Sequence, residues 1–247
     1  MKEELRELQT VIDTLLGDRK TLKVLDAGCG RKGYKPYVST PEDAYVVGID
    51  ISEEELLKNT TTNEKIVGDI QSYELPSSEF DAIICWWVLE HLPRPDKALN
   101  NFQRSIKEDG IIVLAVPNVF SIKGLVTKYT PHWFHTWYNQ AILGYKGFSP
   151  FPTFLRFSIS PRAISRFANK HGLLIVYSYL YKPRDTNKII NAGVWPIRQF
   201  IKLLTFGRID VGLEEFVVVL RKPRISTTDI SCQAADKVSA NTDQFVI

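Results

Sequence analysis

Apolar residues follow two patterns along this chain, and their alternation predicts the fold. Residues 2–16 set Leu5, Leu8, Ile12, Leu15 and Leu16 at helical spacing among charges, and Gly17 follows as a stop. An amphipathic leading helix is expected there. Five short, nearly continuous apolar runs come next, at 22–26, 45–50, 65–68, 80–86 and 110–116, each bounded by turn residues. Strands buried on both faces read this way. Helix-like pieces lie between them: 53–59 behind Ser52 as an N-cap, and 96–107 with Ala98, Leu99, Phe102 and Ile106 on one face.

Beyond residue 117 the pattern changes to an aromatic-rich stretch broken by Pro131, Pro150 and Pro152, which predicts an insertion. Residues 160–171 read as a helix with Ser160 as cap and Pro161 as first helical residue, and 173–181 and 215–221 read as a closing pair of strands. The expected fold is a Rossmann-like α/β domain: a doubly wound, mostly parallel seven-stranded sheet with an antiparallel closing strand. One domain over 1–222 is expected, with insertions at about 118–158 and 185–209. Residues 223–247, rich in Ser, Thr, Asp and Ala without periodicity, predict a disordered tail.

Composition narrows the function classes. The 31 basic and 28 acidic residues nearly cancel, so no broad basic stripe announces nucleic acid. Three cysteines, Cys29, Cys85 and Cys232, show neither a disulfide framework nor zinc spacing, and no metal is expected. A charged, amphipathic N-terminus unlike a secretory signal, and apolar runs far shorter than the roughly 20 residues of a membrane span, complete the expectation of a cytoplasmic protein.

The segment KVLDAGCGRKG carries the strongest chemical signal: a strand ending at Asp26, then Gly28, Cys29, Gly30 and Gly33. Glycines at a strand-to-loop turn let the backbone bend sharply and approach a ligand. Gly28, Gly30 and Gly33 also satisfy G-x-G-x-x-G, the dinucleotide fingerprint. Asp50 ends the next strand in VVGID, followed by Ile51, where a carboxylate can accept from both hydroxyls of a ribose. Asp69 and Ile70 follow the third strand in VGDI, at the rim where open α/β sheets bind ligands.

Through VLDAGCG, VVGIDIS, VGDI and FDAIICWWVLEHLPRPDKAL, residues 20–117 resemble the class I S-adenosylmethionine-dependent methyltransferases of small molecules. The resemblance implies that Asp26 lies near the amino-acid part of S-adenosylmethionine, Asp50 binds its ribose and Asp69 approaches its adenine amine. Arg31 and Lys32 stand between Gly30 and Gly33, where the family's third glycine follows more closely. An acidic site suits a cofactor that bears a sulfonium and an ammonium but no phosphate; a pyrophosphate would want backbone donors instead.

Methyl transfer depends mainly on positioning, with a base needed only where the acceptor holds a proton. His91, just past the fourth strand, and His132 and His135, in TPHWFHTW of the first insertion, are the candidates. Of Trp86 and Trp87, opposite in orientation on a strand, one should wall the cofactor crevice, and Trp86 is assigned that place. The aromatic insertion and the basic, apolar segment after Pro196 suggest a bulky, apolar or lipid-linked acceptor, with peripheral membrane contact through that segment. O-methylation is the favoured transfer. A nicotinamide-dependent oxidoreductase and a non-catalytic cofactor-binding module are the competing readings.

Overall fold

The structure is a computed structural model that describes residues 3–17, 19–130, 153–181, 195–196, 199–204 and 211–224. His132, His135, most of both insertions and nearly all of the expected tail lie outside these residues.

Helix α1 (Glu3–Leu16) leads into strands β1 (Lys23–Ala27) and β2 (Tyr45–Asp50), helix α2 (Glu53–Leu57), and strands β3 (Glu64–Val67) and β4 (Phe80–Trp86). A 3-10 turn (Leu89–His91), helix α3 (Pro95–Ser105), strand β5 (Ile106–Pro117) and helix α4 (Ile122–Tyr129) follow. Past the first insertion come a 3-10 turn (Phe157–Ile159), helix α5 (Pro161–Lys170) and strands β6 (Leu174–Tyr181) and β7 (Glu215–Arg221). The strands form one sheet of order β3-β2-β1-β4-β5-β7-β6. Strands β1 to β5 pair in parallel, and β7 runs antiparallel to both β5 and β6.

Alternation along the strands builds two apolar layers. Leu25, Ile49, Ile83, Cys85 and Leu114 face α3 and α5, packing with Leu99, Phe102 and Ile164. Val24, Val46, Ala82, Ile84, Trp86 and Val113 face α1, packing with Leu8, Ile12 and Leu16. The order reverses at β1, which pairs with β2 on one side and β4 on the other. Loops leaving β1 and β4 therefore part at their C-terminal ends and open the crevice where such sheets bind ligands.

Boundaries differ from the sequence expectation where a side chain is claimed by tertiary structure. Helix α2 stops at Leu57 because Asn59, expected within it, turns inward, where it is 1% exposed and donates to Gly30 O at 2.8 Å. Helix α3 stops at Ser105, and Ile106, expected on its apolar face, pairs with Phe80 as the first residue of β5. A register shift then precedes the Ala82 pairing with Ile111, and Asp109 takes a positive φ of 60° within the bend. Helix α4 adds an element that the sequence pattern does not announce; Ser121 Oγ accepts from Gly124 N at 2.8 Å and starts it inside the first insertion.

Candidate active site

The loop after β1 is held by its own backbone. Gly28 N and Cys29 N both donate to Ile49 O, at 2.8 and 3.2 Å, and Gly33 N donates to Cys29 O at 2.8 Å. Gly30 N donates to Asp50 Oδ2 at 2.8 Å. The donors of Gly28, Cys29, Gly30 and Gly33 are thus spent on the fold. Two of the glycines are sterically required. A Cβ on Gly28 would stand 2.4 Å from Val88 Cγ2, and one on Gly33 would stand 2.6 Å from Asp26 Oδ2 and 2.5 Å from Thr61 Oγ1. Both also have positive φ, 76° and 61°. Although Arg31 and Lys32 displace it from the family's spacing, Gly33 lets the loop close over the Asp26 carboxylate.

Asp26 is almost fully buried and accepts from Tyr34 N at 3.1 Å through Oδ2. Burial raises its pKa to about 7, the Tyr34 N–H pulls it back, and the charge of Asp50 adds to the rise. Cys29 faces inward against Gly48, and burial pushes its thiol well above the ordinary range.

Asp50, at the tip of β2, is half-buried and oriented at both oxygens. Gly30 N reaches Oδ2, and Ser52 N reaches Oδ1 at 2.8 Å. Each carboxylate oxygen accepts about two hydrogen bonds, so each retains a site for a diol. Beside it Ile51 is 72% exposed, an apolar face at a polar rim. Asp69, after β3, accepts from Gln71 N at 2.9 Å and from Gln71 Nε2 at 3.0 Å through both oxygens. Ile70 behind it is buried in the core, where its carbonyl accepts from Asn101 Nδ2 at 3.1 Å.

On the β4 side, Trp86 is buried in the α1 layer and stacks on Tyr37 with ring centroids 4.8 Å apart and 5° between planes. Trp87 leaves the strand with φ of 56°, meets Tyr37 edge-on at 5.1 Å and is 38% exposed. Trp86 is thus the inner ring and Trp87 the outer one. Nothing in the sequence marks Tyr37, because it stands alone in an irregular loop and joins the tryptophans only in three dimensions. His91 is about one third exposed, with Nδ1 3.4 Å from Thr153 Oγ1 and Nε2 3.9 Å from Glu90 Oε1. Glu90, equally unmarked by any pattern, is buried beside it. Among the described residues no group of three or more His, Cys, Asp or Glu side chains could hold a metal.

A glycine turn at the switch point, with carboxylates at the tips of β1, β2 and β3, defines the class I methyltransferase architecture. A family model described as a methyltransferase domain matches residues 1–177, and the chain belongs to that family. Among curated proteins, a ubiquinone biosynthesis O-methyltransferase of Dechloromonas aromatica is 33% identical over 104 residues, 39% of this chain and 44% of that protein. An uncharacterised protein of Methanocaldococcus jannaschii is 30% identical over 105 residues, 42% of this chain and 45% of its own length. The matched segments thus span less than half the length of these curated relatives.

Among solved structures, an S-adenosylmethionine-dependent methyltransferase from Archaeoglobus fulgidus aligns over 89% of this chain and 93% of its own, with TM-score 0.56 and 20% identity. Phosphoethanolamine N-methyltransferase 2 of Haemonchus contortus, solved with S-adenosyl-L-methionine, aligns over 89% of this chain and 53% of its own, with TM-score 0.54 and 15% identity. These two likenesses show the fold. S-adenosylmethionine is the cofactor of the family, and the residues present fit it: an oriented carboxylate with acceptor sites to spare for a diol, an exposed apolar face next to it, and a buried carboxyl for a cationic group.

Proposed function

We infer that this chain transfers a methyl group from S-adenosylmethionine to a hydroxyl of a small, bulky and apolar acceptor. The observation that carries the cofactor half is the state of the glycine loop. Its donors at Gly28, Cys29, Gly30 and Gly33 are committed to Ile49, Asp50 and Cys29. A pyrophosphate depends on such donors, so a nicotinamide dinucleotide is disfavoured despite the G-x-G-x-x-G spacing.

Asp50 then holds the ribose hydroxyls, Ile51 covers a face of the adenine, Asp69 accepts from the adenine amine, and Asp26 faces the charged amino-acid end. Trp86, stacked on Tyr37, walls the crevice on the β4 side. When bound, the cofactor supplies an electrophilic methyl group on a sulfonium. The chain's part is to orient that methyl, exclude water and present the acceptor oxygen in line.

Two things support an apolar hydroxyl acceptor. One is the likeness to a protein named a ubiquinone biosynthesis O-methyltransferase. The other is the rim of the first insertion, where Phe120, Tyr129, Phe154 and Phe157 are all exposed and Phe120 stacks on Phe157 at 5.7 Å. In this reading the two insertions form the acceptor's cover. Residues 199–204 are helical and expose Phe200, Leu203 and Leu204, with Trp195 exposed nearby. This face is suited to meeting an anionic membrane that carries a lipid-like acceptor. Sedimentation with anionic vesicles at low salt tests that contact, and a chain left in the supernatant rejects it.

Titration calorimetry tests the cofactor. S-adenosylmethionine is expected to bind and NAD is not, and Asp50→Ala is expected to weaken binding tenfold or more. Transfer of labelled methyl to phenols but not to amines tests the acceptor atom. Binding of NAD alone would sink the reading.

A further inference from the structure

Glu90 is a buried carboxyl that cofactor binding leaves unused. It sits in the 3-10 turn after β4, is 4% exposed, and its Oε2 has no hydrogen-bond partner among the described residues. Asp81 shows how the same chain treats a structural carboxylate. That group accepts from Lys23 N at 2.9 Å and Lys107 Nζ at 2.8 Å and lies 3.9 Å from Arg19.

Glu90 has a different neighbourhood. The titratable groups facing it are Cys85 of β4, His91 of its own turn with Nε2 3.9 Å from Oε1, and Glu215 of β7, which accepts from the Tyr181 hydroxyl of β6. Burial raises the Glu90 pKa to about 8, its own backbone N–H opposes the rise, and the charge of Glu215 adds to it. The turn is pinned from outside as well: Phe154 N and Leu155 N donate to Glu90 O at 2.8 and 3.0 Å. The returning insertion is thereby stitched to the main chain of the turn that carries the carboxyl. An orphaned, buried acid with a shifted pKa at the ligand rim of a sheet is the signature of a working group more than of a strut.

We propose that Glu90 Oε2 takes the proton of the acceptor hydroxyl as the methyl group is transferred, with His91, whose Nε2 lies 3.9 Å from Oε1, as the positioning residue beside it. The step rests on the hydroxyl reading above. The acceptor oxygen forms the new bond to the methyl carbon, the carbon–sulfur pair returns to the sulfonium and neutralises it, the O–H pair stays on oxygen, and the proton passes to Glu90. No further reactant is needed. A base that ionises near neutrality accepts a phenolic proton better than an ordinary carboxylate does.

The test uses the full chain, S-adenosylmethionine and a series from phenol to nitrophenols. Glu90→Gln is expected to lower kcat about 100-fold or more with KM little changed. The loss should be smallest for the most acidic phenols. The wild-type rate is expected to rise with pH and level off above about 8, a profile absent from E90Q. His91→Ala is expected to move the midpoint of that profile while leaving its plateau in place.

Calorimetry with S-adenosylhomocysteine checks that E90Q keeps the cofactor site. Should E90Q fail to fold, two further measurements decide: Glu90→Asp should keep a pH-dependent rate, and dicyclohexylcarbodiimide, read by peptide mass mapping, should label wild-type Glu90 at pH 6 and fade as the group ionises. Wild-type kcat and pH profile in a folded E90Q overturn the step alone, as does a Glu90 that is never labelled. A wild-type chain that binds the cofactor and methylates no phenol overturns the hydroxyl reading and this step together.

Discussion

A single absent methyl group decides whether the loop after β1 can lie over Asp26. At Gly33 a Cβ would overlap both the Asp26 carboxylate and the Thr61 hydroxyl, on a backbone already at positive φ. Gly33→Ala is therefore expected to weaken S-adenosylmethionine binding tenfold or more and to lower the melting temperature, since an L side chain in the left-handed region adds roughly 1–2 kcal/mol to the overlap. Calorimetry and a melt check the two effects. Asp26 makes the affinity pH-dependent. Its pKa of about 7 keeps it largely protonated below neutrality, and only the ionised form attracts a cationic ligand. Affinity is expected to rise as pH passes through that value and to lose the dependence in Asp26→Asn. A flat wild-type profile would remove Asp26 from the cation's surroundings.

At the scale of elements, helix α3 shows how packing outweighs local preference. Its apolar face, Ala98, Leu99 and Phe102, is fully inserted into the core beneath the sheet, and Phe102 is 0% exposed. Phe102→Ala is expected to cost about 3–5 kcal/mol, measured by chemical denaturation, because a cavity remains that neighbouring strands cannot fill. The periodicity of this helix is readable in the sequence, but the place where it ends is not. Ile106 satisfies a helical face and a strand equally well, and the pairing with Phe80 awards it to β5. Asn59 makes the same point for α2. Its side-chain amide serves Gly30 O and its Oδ1 accepts from Thr61 N at 2.7 Å, two contacts with no trace in a hydrophobic pattern.

For the whole molecule, the response to pH draws on two carboxyl groups among the described residues, Asp26 and Glu90, whose pKa burial raises. Asp26 rises from 3.8 to about 7 and Glu90 from 4.5 to about 8. Raised acids bind more protons folded than unfolded, so their contribution is fully present below the ordinary carboxylate range and is lost as pH climbs through the folded values. Stability of the cofactor-free chain is expected to decline between about pH 4.5 and pH 8, less steeply in E90Q. Denaturant midpoints across that window provide the check, and equal slopes would contradict the burial of Glu90. No helix among the described residues is long and apolar enough to cross a membrane.

The one-dimensional pattern was sufficient for the seven strands, their alternation with helices, the antiparallel closing pair, and the carboxylates Asp26, Asp50 and Asp69 at successive strand tips, because a strand buried on both faces and a turn at its end leave local marks. Tertiary structure alone decided the rest. It stacked Tyr37 on Trp86, made Gly33 indispensable through a carboxylate seven residues away, and left Glu90 in a dry place with one oxygen unanswered. Such contacts join segments distant in sequence or depend on burial, and neither spacing nor propensity encodes them.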